Sequence, residues 1–345
     1  MLHISEESWG QAGGMAVTRT TLQNERLSVS VLDFGATVQK IVYEGKDLIF
    51  SLPDAALYER YHRACIGATV GRCAGRIANG RFRLNGCEVE LSRNEDGHHL
   101  HGGFRGFHTR MWERTRAGVT DAGAGLCLRL ISPDGDEGYP GDLTVTAEFI
   151  VTEDDRLAIT YTARVSGKTT VVSMTNHCYF NLNGMEPQPD APPLSDGDNR
   201  DIRLWLDADR VLELDGAIPT GRLLPVEGTP FDFREARPLV RRKPDAQEPD
   251  ENGFDHTFVF RDPALSHPSV TAYSVRSGIR LECFTDQPGT QLFTMGNPGN
   301  AFALEPQHFP DSPHHPGFPS VELREGETRA AHIVYRFSRE ETASD

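Results

Sequence analysis

The sequence predicts an all-β protein, a large antiparallel β-sandwich with few short helices. Three observations carry that expectation. Apolar and polar residues alternate at period two over many short stretches. The 33 glycines and 22 prolines punctuate those stretches, as turns between strands require. No long amphipathic helix breaks the pattern, which disfavours a βαβ architecture.

The elements follow in order. Leu27, Val29 and Val31 alternate with Ser28 and Ser30, the signature of a strand with one buried face. Between Arg81 and Leu91 two strand-like runs flank Asn85-Gly86, a dipeptide suited to the positive φ angles of a type I′ hairpin turn. Leu143, Val145, Ala147 and Phe149 alternate with Thr144, Thr146 and Glu148, and Leu157, Ile159, Tyr161, Ala163 and Val165 continue the pattern. Residues 185–200, rich in Pro, Asp and Gly, read as a surface loop and not a domain boundary. Residues 340–345 form an acidic tail expected to fray. With no internal repeat, all 345 residues are expected to form one domain.

Composition narrows the function. Thirty-five basic against 50 acidic residues give a net charge of −15, which disfavours nucleic acid and anionic lipid and suits a neutral or cationic ligand. No stretch approaches the roughly 20 apolar residues of a spanning helix. The first 14 residues lack the basic and apolar regions of a signal peptide, so a cytoplasmic location is expected. Six cysteines without CxxC spacing agree with reduced thiols.

Three clusters could carry chemistry. His98, His99, His101 and His108 lie in the Gly-rich run HHLHGGFRGFH. Zinc ligands, plain loop histidines and donors to sugar hydroxyls all remain open readings, although neither HExxH nor a cysteine pair supports a metal. The run Thr175-Asn176-His177-Cys178-Tyr179-Phe180-Asn181 sets a histidine among amides and aromatic rings. Such a histidine is either structural or a proton donor and acceptor near neutral pH, beside rings suited to sugar faces. Glu305 follows the apolar residues Ala301, Phe302, Ala303 and Leu304. It reads either as a salt-bridged carboxylate or as a general base whose pKa burial raises. Arg72 and Arg76 in GRCAGRIANG and Asp255 in NGFDHTF are able to hold sugar oxygens or to serve structure alone. Neither a nucleotide-binding GxGxxG or P-loop nor a GxSxG elbow is present in a suitable context.

Taken in order, the motifs resemble the aldose 1-epimerase, or galactose mutarotase, family. They are FGAT from Phe34, GRCAGRIANGRF from Gly71, LHGG from Leu100, GYPG from Gly138 and TNHCYFNLNG from Thr175. IPTG from Ile218, GTPFDFR from Gly228, GFDHTF from Gly253, QPG from Gln287 and LEPQHFPDSPHHPGFPS from Leu304 complete the series. The resemblance implies a galactose mutarotase-like supersandwich with an open cleft. It implies Glu305 as general base, His177 as general acid, and His101, Arg76 and Asp255 as sugar-binding groups. The implied reaction interconverts the α and β anomers of a free aldose such as galactose or glucose by ring opening and reclosure, without metal or organic cofactor. Ordinary pKa values of roughly 4.3 and 6.5 would leave Glu305 ionised and His177 protonated near neutral pH, with mutual attraction widening that window.

Two departures bear on the choice of sugar. Gly75 stands where the family usually has Asn before Arg, and Ile202 stands where relatives often have His. Two other functions remain as alternatives. A phosphosugar (hexose-6-phosphate) 1-epimerase would need a cationic clamp, for which Arg60, Arg63, Arg241 and Arg242 are candidates. A non-catalytic sugar-binding protein would keep the cleft and not need both protonic groups. The expected partner is a monosaccharide, with neither nucleic acid nor membrane, and the chain is expected to be a monomer or homodimer.

Overall fold

The computed structural model describes residues 1–185, 199–241, 253–296 and 299–339. Three antiparallel sheets dominate them. The largest has nine strands, in the order Glu113–Thr120, Gly123–Ser132, Asp142–Val151, Arg156–Ser166, Thr328–Arg339, Ile279–Thr285, Val270–Ser274, Ile202–Leu206 and Arg237–Pro238. A six-stranded sheet runs Tyr179–Phe180, Gly299–Gln307, Gly289–Gly296, Asp255–Phe260, Ala208–Asp215 and Ile218–Pro225. The N-terminal sheet has five strands between His3 and Asp47.

Period-two alternation translates directly into burial. In the Asp142–Val151 strand Leu143, Val145, Ala147, Phe149 and Val151 are fully buried, while the residues between them reach solvent to varying degrees. They join Val29, Val31 and Ile41 of the five-stranded sheet and Phe258, Phe302 and Leu304 of the six-stranded one in one apolar core. Burying a side chain of this size contributes about 1.5–3 kcal/mol relative to exposure, so the alternating residues hold the sheets face to face.

The hairpin expected at Asn85-Gly86 is present. Arg81–Leu84 pairs with Cys87–Glu90, and the two turn residues have φ of 51° and 81°, as a type I′ turn demands. The one α-helix among the described residues, Ala55–Arg60, is capped by Asp54, whose carboxylate accepts the Leu57 amide N–H at 2.9 Å. No helix among them is long and apolar enough to cross a membrane. None of the six cysteines is in a disulfide. Most of the loop at residues 185–200 and the tail at 340–345 lie outside the described residues.

Candidate active site

Strand register builds the floor of a cleft of about 600 Å³. Thr257, Gln291 and Glu305 are directly opposed on three neighbouring strands. Asp255, Phe293, Ala303 and Tyr179 form the next row. Opposed residues on neighbouring strands share a face, so both rows turn the same way. Phe302 and Leu304 face the main core, while Ala301 and Ala303 pack in a second cluster with Tyr179 and Phe293. Alternation then puts Glu305 on the cleft side of its strand.

His177 is brought to Glu305 by the segment between the Thr175–Asn176 strand, which pairs with Thr69–Val70, and the Tyr179–Phe180 strand. Its amide donates to the Ala68 carbonyl at 3.0 Å, and its carbonyl accepts from Gly67 at 2.9 Å. Asn176 Nδ2 donates to Gly67 O at 2.9 Å. His177 Nε2 lies 3.5 Å from Glu305 Oε1, and both side chains are buried. Tyr179 stacks obliquely on the His177 ring at 4.7 Å and anchors its own hydroxyl on Ala64 O at 2.9 Å.

His101 enters from the turn that follows the His99–Leu100 strand, which pairs with Arg76–Ile77. Its φ is 50°, and Gly102 after it approaches so closely that a Cβ there would lie 1.8 Å from the Gly71 carbonyl oxygen. The Gly75 amide donates to His101 Nδ1 at 3.2 Å. A neutral imidazole accepting at Nδ1 carries its hydrogen on Nε2, so His101 is a neutral donor. The His101 and His177 rings meet edge to face at 5.5 Å.

Arg76 and Asp255 form the polar wall. Arg76 donates from Nε and Nη2 to the two carboxylate oxygens of Glu95 at 2.6 and 2.9 Å, and its Nη1 is 3.8 Å from Asp255 Oδ2. Gln291 Nε2 donates to Asp255 Oδ1 at 2.6 Å, and Gln291 Oε1 accepts from Thr257 at 2.5 Å. Gln291 and Glu95 line the cleft and are not singled out by any sequence motif. Their signal is tertiary: Gln291 is assigned by its register opposite Glu305, and Glu95 by loop closure onto Arg76.

The electrostatics differ from the expectation of a charged pair. Burial, helped by the Asp255 carboxylate and opposed by Arg76, raises the Glu305 pKa well above the usual carboxylate range. Burial lowers His177 to about 4. Glu305 Oε2 and His177 Nδ1 are both buried without a hydrogen-bond partner, and an unsolvated charge is costly. Desolvation therefore outweighs mutual attraction, and burial favours neutral His177 beside protonated Glu305. Burial, with the neighbouring His177 next in effect, also pushes His101 well below its ordinary value.

Of the sequence-predicted residues, Glu305, His177, His101, Arg76 and Asp255 all line this one cleft. The rest of the histidine cluster does not. His99 is fully buried and bonded to the Tyr139 hydroxyl at 2.7 Å. His98 accepts the Asn79 amide N–H at 3.0 Å, and His108 is buried against His62. Arg72 is structural: it is 2% exposed and donates to Ser132, Pro133, Pro140 and Thr170. Ile202 is fully buried in the nine-stranded sheet. Of the candidate phosphate clamp, Arg63 and Arg241 line the cleft, and Arg241 already donates to Gly253 O at 2.9 Å. Arg60 packs over Tyr61, and Arg242 lies outside the described residues.

His101, His177 and Glu305 bring three donor atoms within 4.8 Å of one another. They fit a metal poorly, because the Nδ1 lone pair of His101 is engaged by Gly75 and its Nε2 carries hydrogen, whereas metal ligation needs a free nitrogen lone pair.

Comparisons with known proteins converge on one family. A family model described as aldose 1-epimerase matches residues 18–336. The chain is 34% identical over 360 aligned positions to galactose mutarotase from Rattus norvegicus, covering 98% of this chain and 99% of that one. It is 33% identical over 343 positions to aldose 1-epimerase from Escherichia coli, covering 93% and 95%. The crystal structure of galactose 1-epimerase from Lactobacillus acidophilus superposes with a TM-score of 0.84 at 26% identity, covering 98% of this chain and 99% of that one.

Proposed function

The chain belongs to the aldose 1-epimerase family and is an isomerase of aldoses, and we propose that Glu305 and His177 are its proton-transfer pair, with Arg76, His101 and Asp255 holding the sugar. The observation that carries this assignment is the 3.5 Å approach of His177 Nε2 to Glu305 Oε1 on the floor of a cleft sized for a saccharide.

The pair needs one exchangeable proton between its two members. With the sugar bound, Glu305 as carboxylate takes the proton of the C1 hydroxyl. His177 as imidazolium gives its proton to the ring oxygen, the bond from C1 to that oxygen breaks, and C1 becomes an aldehyde carbon. Glu305 is now protonated and His177 neutral, the form that burial favours. Rotation about C1–C2 presents the other carbonyl face. His177 then takes back the proton from the freed hydroxyl, Glu305 returns its proton to the carbonyl oxygen, and the ring closes as the other anomer. No net proton is consumed. The desolvated pocket thus stabilises the open-chain stage relative to the charged pair, while the Arg76 cation favours the carboxylate needed at the start.

His101 acts as a neutral donor to a sugar oxygen and not as a proton source, because its Nδ1 is an acceptor and burial keeps it uncharged. Galactose and glucose are the aldoses proposed as substrates. Polarimetry on freshly dissolved α-D-galactose, α-D-glucose and α-D-xylose tests the reading: equilibration faster than the spontaneous rate is expected, and no acceleration with any free aldose would overturn it.

A further inference from the structure

The Arg76 side chain has two partners in the cleft, and only one of them belongs to the sequence-predicted site. Glu95 takes both Nε and Nη2, at 2.6 and 2.9 Å. This bidentate geometry is the strongest that a guanidinium and a carboxylate make, and it leaves Nη1 as the terminus nearest Asp255, at 3.8 Å. Both side chains are sheltered, with 20% and 29% of their surface exposed.

The loop carrying Glu95 is built to hold it still. The amide of Glu95 donates to His98 O and the His98 amide returns to Glu95 O. The adjacent Asn94 side chain both donates to and accepts from the Leu100 backbone, at 3.0 and 2.7 Å. His101 follows directly, so the loop that fixes Glu95 also delivers His101. The charge arrangement points the same way. Burial alone would lower the Arg76 pKa, but the hydrogen bonds and charge of Glu95, followed by the charges of Asp255 and Glu305, outweigh it and raise it.

We propose that Glu95 is a positioning residue of the sugar site, acting through Arg76. It aims Nη1 at the sugar beside Asp255 and offsets part of the Arg76 charge that Glu305 feels. This role rests on the isomerase reading above.

The charged and titratable groups around Glu305 are His177, His101, Arg76 and Asp255, with Cys65, Tyr179 and Tyr335 also within its electrostatic reach. Burial first of all raises those last three, so they stay neutral at working pH. Removing the Glu95 charge leaves the Arg76 cation uncompensated, and an uncompensated cation lowers the pKa of Glu305. The alkaline fall of kcat/KM then begins at lower pH, a displacement that loss of packing alone does not produce.

The test compares wild type, Glu95→Gln and Glu95→Asp by polarimetry across pH, with galactose binding followed separately by saturation-transfer NMR. Glu95→Gln is expected to raise KM and weaken binding by about tenfold and to move the alkaline limb acidward. Glu95→Asp restores the limb. In an Arg76→Ala background Glu95→Gln changes KM less than about twofold, since residues that act through one another are not additive. A folded Glu95→Gln protein with unchanged KM, binding and limb overturns the proposal while the isomerase reading stands. Wild-type protein that does not accelerate anomer exchange overturns that reading, and the binding comparison still decides the role of Glu95.

Discussion

The backbone amide of Gly75 donates to Nδ1 of His101 at 3.2 Å, and the amide of His101 donates back to the Gly75 carbonyl at 3.1 Å. This reciprocal pair sets both the tautomer and the position of a cleft histidine. Gly75 can serve because it has φ of 73° and because the space a side chain would take is occupied: a Cβ there would lie 2.7 Å from Pro310 Cγ. Gly75→Asn, which restores the residue usual in the family, is therefore expected to destabilise by about 1–3 kcal/mol and to raise KM by displacing His101. Urea unfolding and sugar kinetics check this; an unchanged midpoint together with unchanged KM would show that Pro310 yields freely.

Glu305→Gln keeps shape and removes proton exchange. A general acid or base is worth about 10²–10⁴-fold, so kcat should fall by that order in Glu305→Gln and in His177→Ala, with the protein still folded by circular dichroism. Asp255→Ala should act mainly on KM, because its carboxylate holds Gln291 and faces Arg76 and transfers no proton. Near-wild-type mutarotation in either of the first two variants would exclude that residue from the proton-transfer pair.

The pH profile follows from the shifts. The pair holds one proton between about pH 4, to which burial lowers His177, and the raised value of Glu305. Below that window both groups are protonated, and above it neither is. kcat/KM should therefore stay level above about pH 5 and decline only as pH passes the raised value of Glu305. Asp255 raises Glu305, so Asp255→Asn should move the alkaline limb to lower pH. An alkaline fall centred near the ordinary imidazole value of about 6.5 in wild type would mean that attraction between the pair prevails over burial.

Arg72 should matter to stability and not directly to catalysis. Its guanidinium satisfies the carbonyls of Ser132, Pro133 and Pro140 and two hydroxyls in a buried site. Arg72→Met leaves those acceptors without their donor, at a cost of about 3–5 kcal/mol. A urea midpoint within error of wild type would contradict the packing described for this residue.

Thiol chemistry is a further check on the core. Cys65, Cys73, Cys178 and Cys283 are buried, Cys127 is partly exposed and Cys87 is exposed. Burial also raises the thiol pKa of all four buried residues. Native protein should react rapidly with a thiol reagent at Cys87, more slowly at Cys127, and at all six only in denaturant. Fast native labelling of Cys178 would place it nearer the surface than the sandwich allows.

Much of this molecule is readable from local pattern. Period-two runs such as Leu143 to Phe149 are strands because only that spacing buries one set of side chains, and Asn85-Gly86 turns because both residues tolerate positive φ. The site is readable only in part. Arg72 and Arg76 lie four residues apart in one motif, yet one is locked into the core and the other faces the cleft. His99 and His101 are two apart, yet one bonds Tyr139 and the other meets His177. Gln291 and Glu95 carry no motif at all.

The sequence alone determined the β class, the alternating core residues and the hairpin turn, because each of these depends on near neighbours in the chain or on residue type, and it supplied the candidate polar residues from which the cleft is drawn. Tertiary structure decided which histidine and which arginine face the cleft, that Glu95 and Gln291 support it, and that burial drives His177 and Glu305 toward their neutral forms. Those outcomes depend on strand register and on desolvation, which arise only when residues distant along the chain are packed together.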